Sequence, residues 1–209
     1  MRITYLFDPL CGWCYGASPA IERLAALENV TLTLSPTGLF AGEGARTMDA
    51  GFAQFAWQND QRIARLTGLP FTQTYKTRVL DTEGSMFDSA PATLALVAVG
   101  LCEPGKELAV LKTLQLARYE HGRDTCDLET VAAILEEAGL PAAARSLRVP
   151  DEGLYAVYRK KTSAARSDMV AFSANGVPAL VVGEAANRRL LNSNALFGDF
   201  DQLAAQIAA

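Results

Sequence analysis

Cys11-Gly12-Trp13-Cys14 sets two thiols two residues apart. Thiol–disulfide exchange needs one accessible thiolate to attack and a second thiol near enough to resolve the mixed disulfide. A pair with this spacing at the start of a helix meets both needs. Cys11 falls where free backbone N–H groups and the positive end of the helix dipole favour a thiolate. Cys14 lies one turn on, sheltered, and can swing onto Cys11. Cys11 is therefore the expected attacker and Cys14 the expected resolver. Zinc binding is the competing chemistry, but a structural zinc site takes four ligands and often a second close pair. The remaining candidates, Cys102, Cys126 and His121, are each isolated and far along the chain. No metal site is expected, and the pair reads as redox-active.

Other residues stand near this chemistry. Val177-Pro178 follows a helix-stopping Asn175-Gly176 and precedes an apolar run. A proline there is either an ordinary trans residue at a strand start or a cis residue, since only prolyl bonds adopt cis at modest cost. With the cysteine pair upstream, cis is expected. The backbone of Val177 would then lie beside Cys11, where an extended substrate pairs as an added strand. Asp8, three residues before Cys11, either shuttles a proton to Cys14 or ends the strand as a turn former. Trp13 is expected at the surface as an apolar contact for a peptide. Phe52, Phe55 and Trp57 could line a substrate groove, although helical aromatics are more often core. Cys102 reads as a buried small hydrophobe. Cys126 is expected in the first turn of a helix, a place that lowers a thiol pKa, and His121 at a helix end as a dipole partner. Neither Cys102 nor Cys126 is expected to serve exchange.

The elements around the pair follow from hydrophobic period. Ile3 to Phe7 alternates and reads as a strand ended by Asp8-Pro9. A helix is predicted over Ala17 to Leu27 and a second strand over Val30 to Leu34. The cysteine pair thus occupies the strand-to-helix turn of a β-α-β unit. The middle of the chain predicts helices near Ala45–Leu66, from Ser89 as N-cap through Leu101, over Lys106–Glu120, from Asp124 to Gly139, and from Pro150 to about Ser173. Strands return at Ala179–Val182 and Arg189–Asn192, and Phe200–Ala208 closes as an amphipathic helix. The predicted architecture is an α/β thioredoxin-like fold with an inserted helical domain. Residues 1–43 and 175–209 would form a discontinuous thioredoxin-like domain and 44–174 the insertion.

Composition agrees with this class. The 209 residues are 50% hydrophobic, enough to bury a core without disulfides or metal, and the net charge is −4 with both signs scattered. No basic run suits nucleic acid, and no apolar stretch suits a bilayer span. Met1 and Arg2 lead straight into the first strand, which leaves no room for a secretory signal. A cytoplasmic location is therefore expected. There thiols stay mostly reduced, and a close cysteine pair is catalytic or metal-binding rather than a structural staple.

The run Phe7-Asp8-Pro9-Leu10-Cys11-Gly12-Trp13-Cys14-Tyr15-Gly16, the segment Gly176-Val177-Pro178-Ala179 and the helical block between them resemble the DsbA family. Gly122-Arg123-Asp124 opening a helix points the same way. The likeness is narrower to the cytosolic, signal-less branch described as predicted protein-disulfide isomerases. It implies a thioredoxin fold, a nucleophilic Cys11 with Cys14 as its partner, and a cis-proline loop at Val177 and Pro178. No cofactor beyond the redox-active disulfide is implied. The implied partners are protein or peptide thiols and disulfides, with glutathione or a thioredoxin-like protein as reductant. The chain departs from the periplasmic oxidases, which carry Pro-His between their cysteines where this one has Gly12-Trp13. Without that histidine to hold a thiolate, strong oxidising power is not expected. Relatives with the same insertion include chromene-carboxylate isomerases and kappa-class glutathione transferases. A glutathione-dependent isomerase or transferase on small molecules is thus the alternative reading, against which both cysteines speak.

Overall fold

A computed structural model describes residues 1–208; Ala209, the last residue of the expected C-terminal thioredoxin segment, lies outside the described residues. Strand β1 (Arg2–Phe7) is almost wholly buried, and its alternating β-branched and aromatic residues suit a central strand. It pairs parallel with β2 (Thr31–Pro36), the crossover being the helical segments α1 (Gly12–Gly16) and α2 (Ser18–Ala25). The helix predicted over Ala17 to Leu27 corresponds to α2, and the short α1 ahead of it is separated from it at Ala17. Pro19 has no N–H to give to the Tyr15 carbonyl, so the ladder is interrupted there.

The chain then leaves the sheet. A two-residue strand, β3 (Arg46–Thr47), pairs antiparallel with β4 (Met86–Phe87). Between them run α3 (Ala50–Thr67), the short α4 (Gln73–Tyr75) and a π-helical turn over Lys76–Leu80. Helix α3 begins five residues later than its periodicity predicts. Residues 46–47 are held in β3, and the Asp49 side chain accepts the Phe52 N–H as the cap. Helices α5 (Ala90–Cys102), α6 (Glu107–Tyr119), α7 (Leu128–Glu137), α8 (Pro141–Arg148) and α9 (Glu152–Ala171) follow. Helix α7 starts at Leu128 because Asp127, not Asp124, caps it by accepting the Thr130 N–H. Helix α8 was not predicted. Pro141 follows Gly139 and reads as a stop, but at the first position of a helix the missing N–H costs nothing.

The sheet is completed by β5 (Ala179–Val182), antiparallel to β1, and β6 (Arg189–Leu190), antiparallel to β5, giving the order β2-β1-β5-β6. Strand β6 is shorter than predicted. Helix α10 (Phe200–Ala208) closes the chain. One apolar core joins Ile3, Tyr5 and Phe7 of β1 to α5, α7 and α8. A second joins Leu10 and Tyr15 beside the cysteine pair to Ile63, Phe71, Tyr75 and Tyr119. Among the described residues no helix is long and apolar enough to cross a membrane.

Candidate active site

The pair sits where β1 hands over to α1. Cys11 occupies the N-cap position with extended backbone and uses its N–H on the Asp8 carbonyl at 3.1 Å. The Tyr119 hydroxyl donates to the Leu10 carbonyl at 2.9 Å, and the Tyr5 hydroxyl to the Cys14 carbonyl at 3.3 Å, so the loop is pinned from both sides. Gly16 lets α1 lie directly on α3. A Cβ there would stand 2.6 Å from Ile63 Cγ2.

The two thiols differ in burial. Cys14 is 0% exposed and Cys11 7%. Burial, reinforced by the hydrogen bond and charge of Cys11, raises the Cys14 thiol well above the usual cysteine range. The Cys11 thiol points out to the Val177 carbonyl, 3.5 Å away. The Val177–Pro178 bond is cis. Beside it runs a groove of about 530 Å³ bordered by Trp13, Arg62, Asn175, Val177, Pro178 and Asn194. Trp13 is half-buried rather than fully at the surface. Its ring meets Phe197 edge-on at 5.3 Å, and the Arg62 guanidinium lies 5.7 Å from its centre.

Asp8 is completely buried and held by three donors. Leu10 N–H gives to one oxygen at 2.9 Å; Phe40 N–H and the Ser89 hydroxyl give to the other at 3.1 and 2.8 Å. Burial raises its pKa, while these hydrogen bonds pull the other way. Its charge is also felt at Cys14. Ser89 is the N-cap residue of α5 by position, but its hydroxyl serves Asp8 instead of the helix. The tie between Asp8, Phe40 and Ser89 has no sequence signal, because the three lie far apart in the chain. Tyr119 and Asp60 were likewise missed. The buried Asp60 had one signal, a carboxylate in the helical stripe Ala53, Trp57, Asp60, Ile63.

The other candidates fall away from the pair. Cys102 is exposed, contrary to the expectation of a buried hydrophobe, because the buried run of α5 ends at Val99 and Leu101 and Cys102 overhang the core. Cys126 precedes the cap of α7 rather than sitting in its first turn. Burial raises its thiol pKa instead of the helix lowering it. His121 is exposed just past α6, with its N–H on the Leu116 carbonyl. Phe52 meets Phe87 and Trp57 lies by Tyr75, whereas Phe55 is exposed. Among the described residues no three His, Cys, Asp or Glu side chains gather as a metal site. Replacing Cys102 and Cys126 together by alanine is expected to leave the exchange rate within about twofold, since Cys102 is exposed, Cys126 is only partly buried, and neither thiol touches the pair. Loss of most activity in a folded double variant would contradict this.

The DSBA-like thioredoxin domain matches residues 2–208. The chain belongs to that family. No curated protein matches it by sequence. Among solved structures, this DSBA-like domain is similar to the cytosolic disulfide reductase DsbM from Pseudomonas aeruginosa, at 28% identity and TM-score 0.86, over 100% of this chain and 97% of the other. The same reductase solved with GSH aligns at 28% identity and TM-score 0.84, over 100% of both chains. A suspected protein disulfide isomerase from Nitrosomonas europaea shares 24% identity at TM-score 0.78 over 98% of either chain. A 2-hydroxychromene-2-carboxylate isomerase shares only 14% at TM-score 0.63, over 100% of this chain and 95% of that one. The last two speak for the DSBA-like fold alone.

Proposed function

We propose that this protein is a cytoplasmic thiol–disulfide oxidoreductase acting as a reductase or isomerase on protein or peptide disulfides through Cys11 and Cys14, with glutathione as reductant. The observation that carries the reading is the asymmetry of the pair. Cys11 faces the Val177 carbonyl at the groove, and Cys14 is sealed beneath it. The likeness to a cytosolic reductase, one structure of which holds GSH, supports both the direction and the partner.

In the reductive direction the Cys11 thiolate attacks a substrate disulfide. A Cys11–substrate bond forms as the substrate S–S bond breaks, and the departing thiolate takes a proton. Cys14 then loses its proton and attacks Cys11 Sγ, releasing the second substrate thiol and leaving the Cys11–Cys14 disulfide. Two molecules of glutathione return the dithiol and become glutathione disulfide. Cys14 is a reluctant donor because burial disfavours its thiolate. Asp8, buried and coupled to it by charge, is the proposed acceptor of that proton. The free edge at Val177 is the proposed docking strand for an extended peptide, and Trp13 its apolar contact.

The test is insulin reduction coupled to glutathione, run beside glutathione conjugation of small electrophiles. Reduction that depends on both cysteines is expected. Conjugation that survives loss of Cys14, with no disulfide reduction, would replace this reading by a glutathione-dependent transferase or isomerase.

A further inference from the structure

The redox mechanism above leaves one buried carboxyl beside the motif unused. Asp60, on α3, is only 5% exposed. The Tyr75 hydroxyl donates to its Oδ2 at 3.0 Å. Its Oδ1 presses on the backbone between the two cysteines. A Cβ built on Gly12 would stand 2.4 Å from that oxygen and 3.2 Å from Ile63 Cδ1. Swinging the carboxylate aside would break the Tyr75 bond inside a packed cluster. Alanine or proline at position 12 would therefore collide with it.

We propose that Asp60 is a positioning residue of the redox site: its carboxylate packs on Gly12, restricts that place in the dipeptide to glycine, and through its charge sets how readily the Cys11–Cys14 disulfide is reduced. The proposal rests on Cys11 and Cys14 being the redox pair.

The groups around Asp60 define the electrostatics. Tyr75 of α4 donates its hydrogen bond, and Arg118 of α6 is the cation that acts on it. Arg118 is itself engaged elsewhere, with Asp124 at 3.7 Å and Cys126 Sγ at 3.7 Å. Tyr119 of α6 feels the charges of both Asp60 and Cys11. Tyr15 of α1 stacks on Tyr119, and its hydroxyl is turned to Glu120. Beyond α4, Lys76 and Asp81 pair with each other. Burial without a close cation pushes the Asp60 carboxyl up to about 7, so its charge is present or absent within the working pH range.

The linkage has a definite sign. Reduction by two glutathione thiols breaks the Cys11–Cys14 bond, forms the glutathione disulfide bond and delivers two electrons and two protons to the pair. Where Cys11 stays a thiolate, one of those protons passes to solvent. A charged Asp60 repels that thiolate and leaves the neutral disulfide untouched, so it opposes reduction. A neutral Asp60 does not.

The experiment is the equilibrium of the pair with glutathione between pH 5.5 and 8.5, read by acid quench, alkylation and mass. Asp60→Asn keeps the shape and the Tyr75 contact but not the charge. It should match the wild type at pH 5.5 and favour the dithiol about twofold more at pH 8.5, where an ordinary cysteine is half thiolate and one near charge shifts it by about one unit. Tyr75→Phe removes a hydrogen bond that stabilises the carboxylate and should move the wild-type inflection to higher pH. It decides the matter if Asp60→Asn fails to fold. Gly12→Ala should impair reduction, and Asp60→Ala in the same chain should restore it. If the wild-type pair equilibrates with glutathione but the Asn profile stays parallel, or the Phe inflection does not move, this inference is overturned. If the wild-type pair does not equilibrate at all, the redox reading itself fails.

Discussion

Cys14→Ala is expected to accumulate mixed disulfides through Cys11, and Cys11→Ala to accumulate none. Both variants should lose turnover by on the order of a thousandfold or more, the scale on which removal of a nucleophile acts. The distinction follows from geometry. Cys11 caps α1 with its thiol turned to the Val177 carbonyl at 3.5 Å, beside the groove. Cys14 is fully buried, with its thiolate disfavoured by burial, so it meets only a sulfur brought to it by Cys11. Without Cys14 the first attack still occurs, but the captured partner stays bound until an external thiol frees it. Alkylation and mass analysis after exposure to a disulfide peptide reads both outcomes. Equal trapping by the two variants would reverse the assignment.

The second large effect is on stability. Asp60 is pushed up to about 7 in the folded protein, against about 3.9 for an ordinary aspartate. A group with a raised folded pKa holds its proton better folded than unfolded. Its contribution is fully present below the unfolded value and is lost as the pH rises through the folded one. Relative to Asp60→Asn, which cannot titrate, the wild type should therefore lose about 4 kcal/mol of unfolding free energy between pH 4 and pH 8, at 1.36 kcal/mol per unit. Urea unfolding of both proteins across that range measures it. The Asn variant should be the more stable of the two at pH 8. A difference that is flat with pH would show that Asp60 titrates as an ordinary surface carboxylate, and one that grows in favour of the wild type would show a carboxyl held below the ordinary range; either contradicts the account.

What could be read from the sequence is what depends on local pattern. The period of two in Ile3–Phe7, the apolar run Ala179–Val182 and the spacing of Cys11 and Cys14 are local, and each corresponds to an element in the fold. Errors arise where a side chain decides a boundary. Asp49 and Asp127 cap α3 and α7 later than periodicity places them, and Pro141 opens a helix where it reads as a stop. Long-range contacts were invisible. Phe40 N–H and Ser89 converge on Asp8 across 32 and 81 residues, and Tyr119 reaches Leu10 across 109. Gly12 reads only as part of the dipeptide between the cysteines, and nothing local to it points to Asp60, on a separate helix, pressed against it. Cys102 failed for a simpler reason. Hydrophobic run length cannot say where the core ends, and here it ends at Val99.

A redox titration of the wild-type protein against glutathione, with each cysteine assigned by alkylation and peptide mass, tests the central claim most directly. The account predicts one two-electron transition confined to Cys11 and Cys14, with Cys102 and Cys126 alkylated as thiols throughout. A pair that never closes to a disulfide at any glutathione ratio, or that yields only a glutathione adduct, would contradict it.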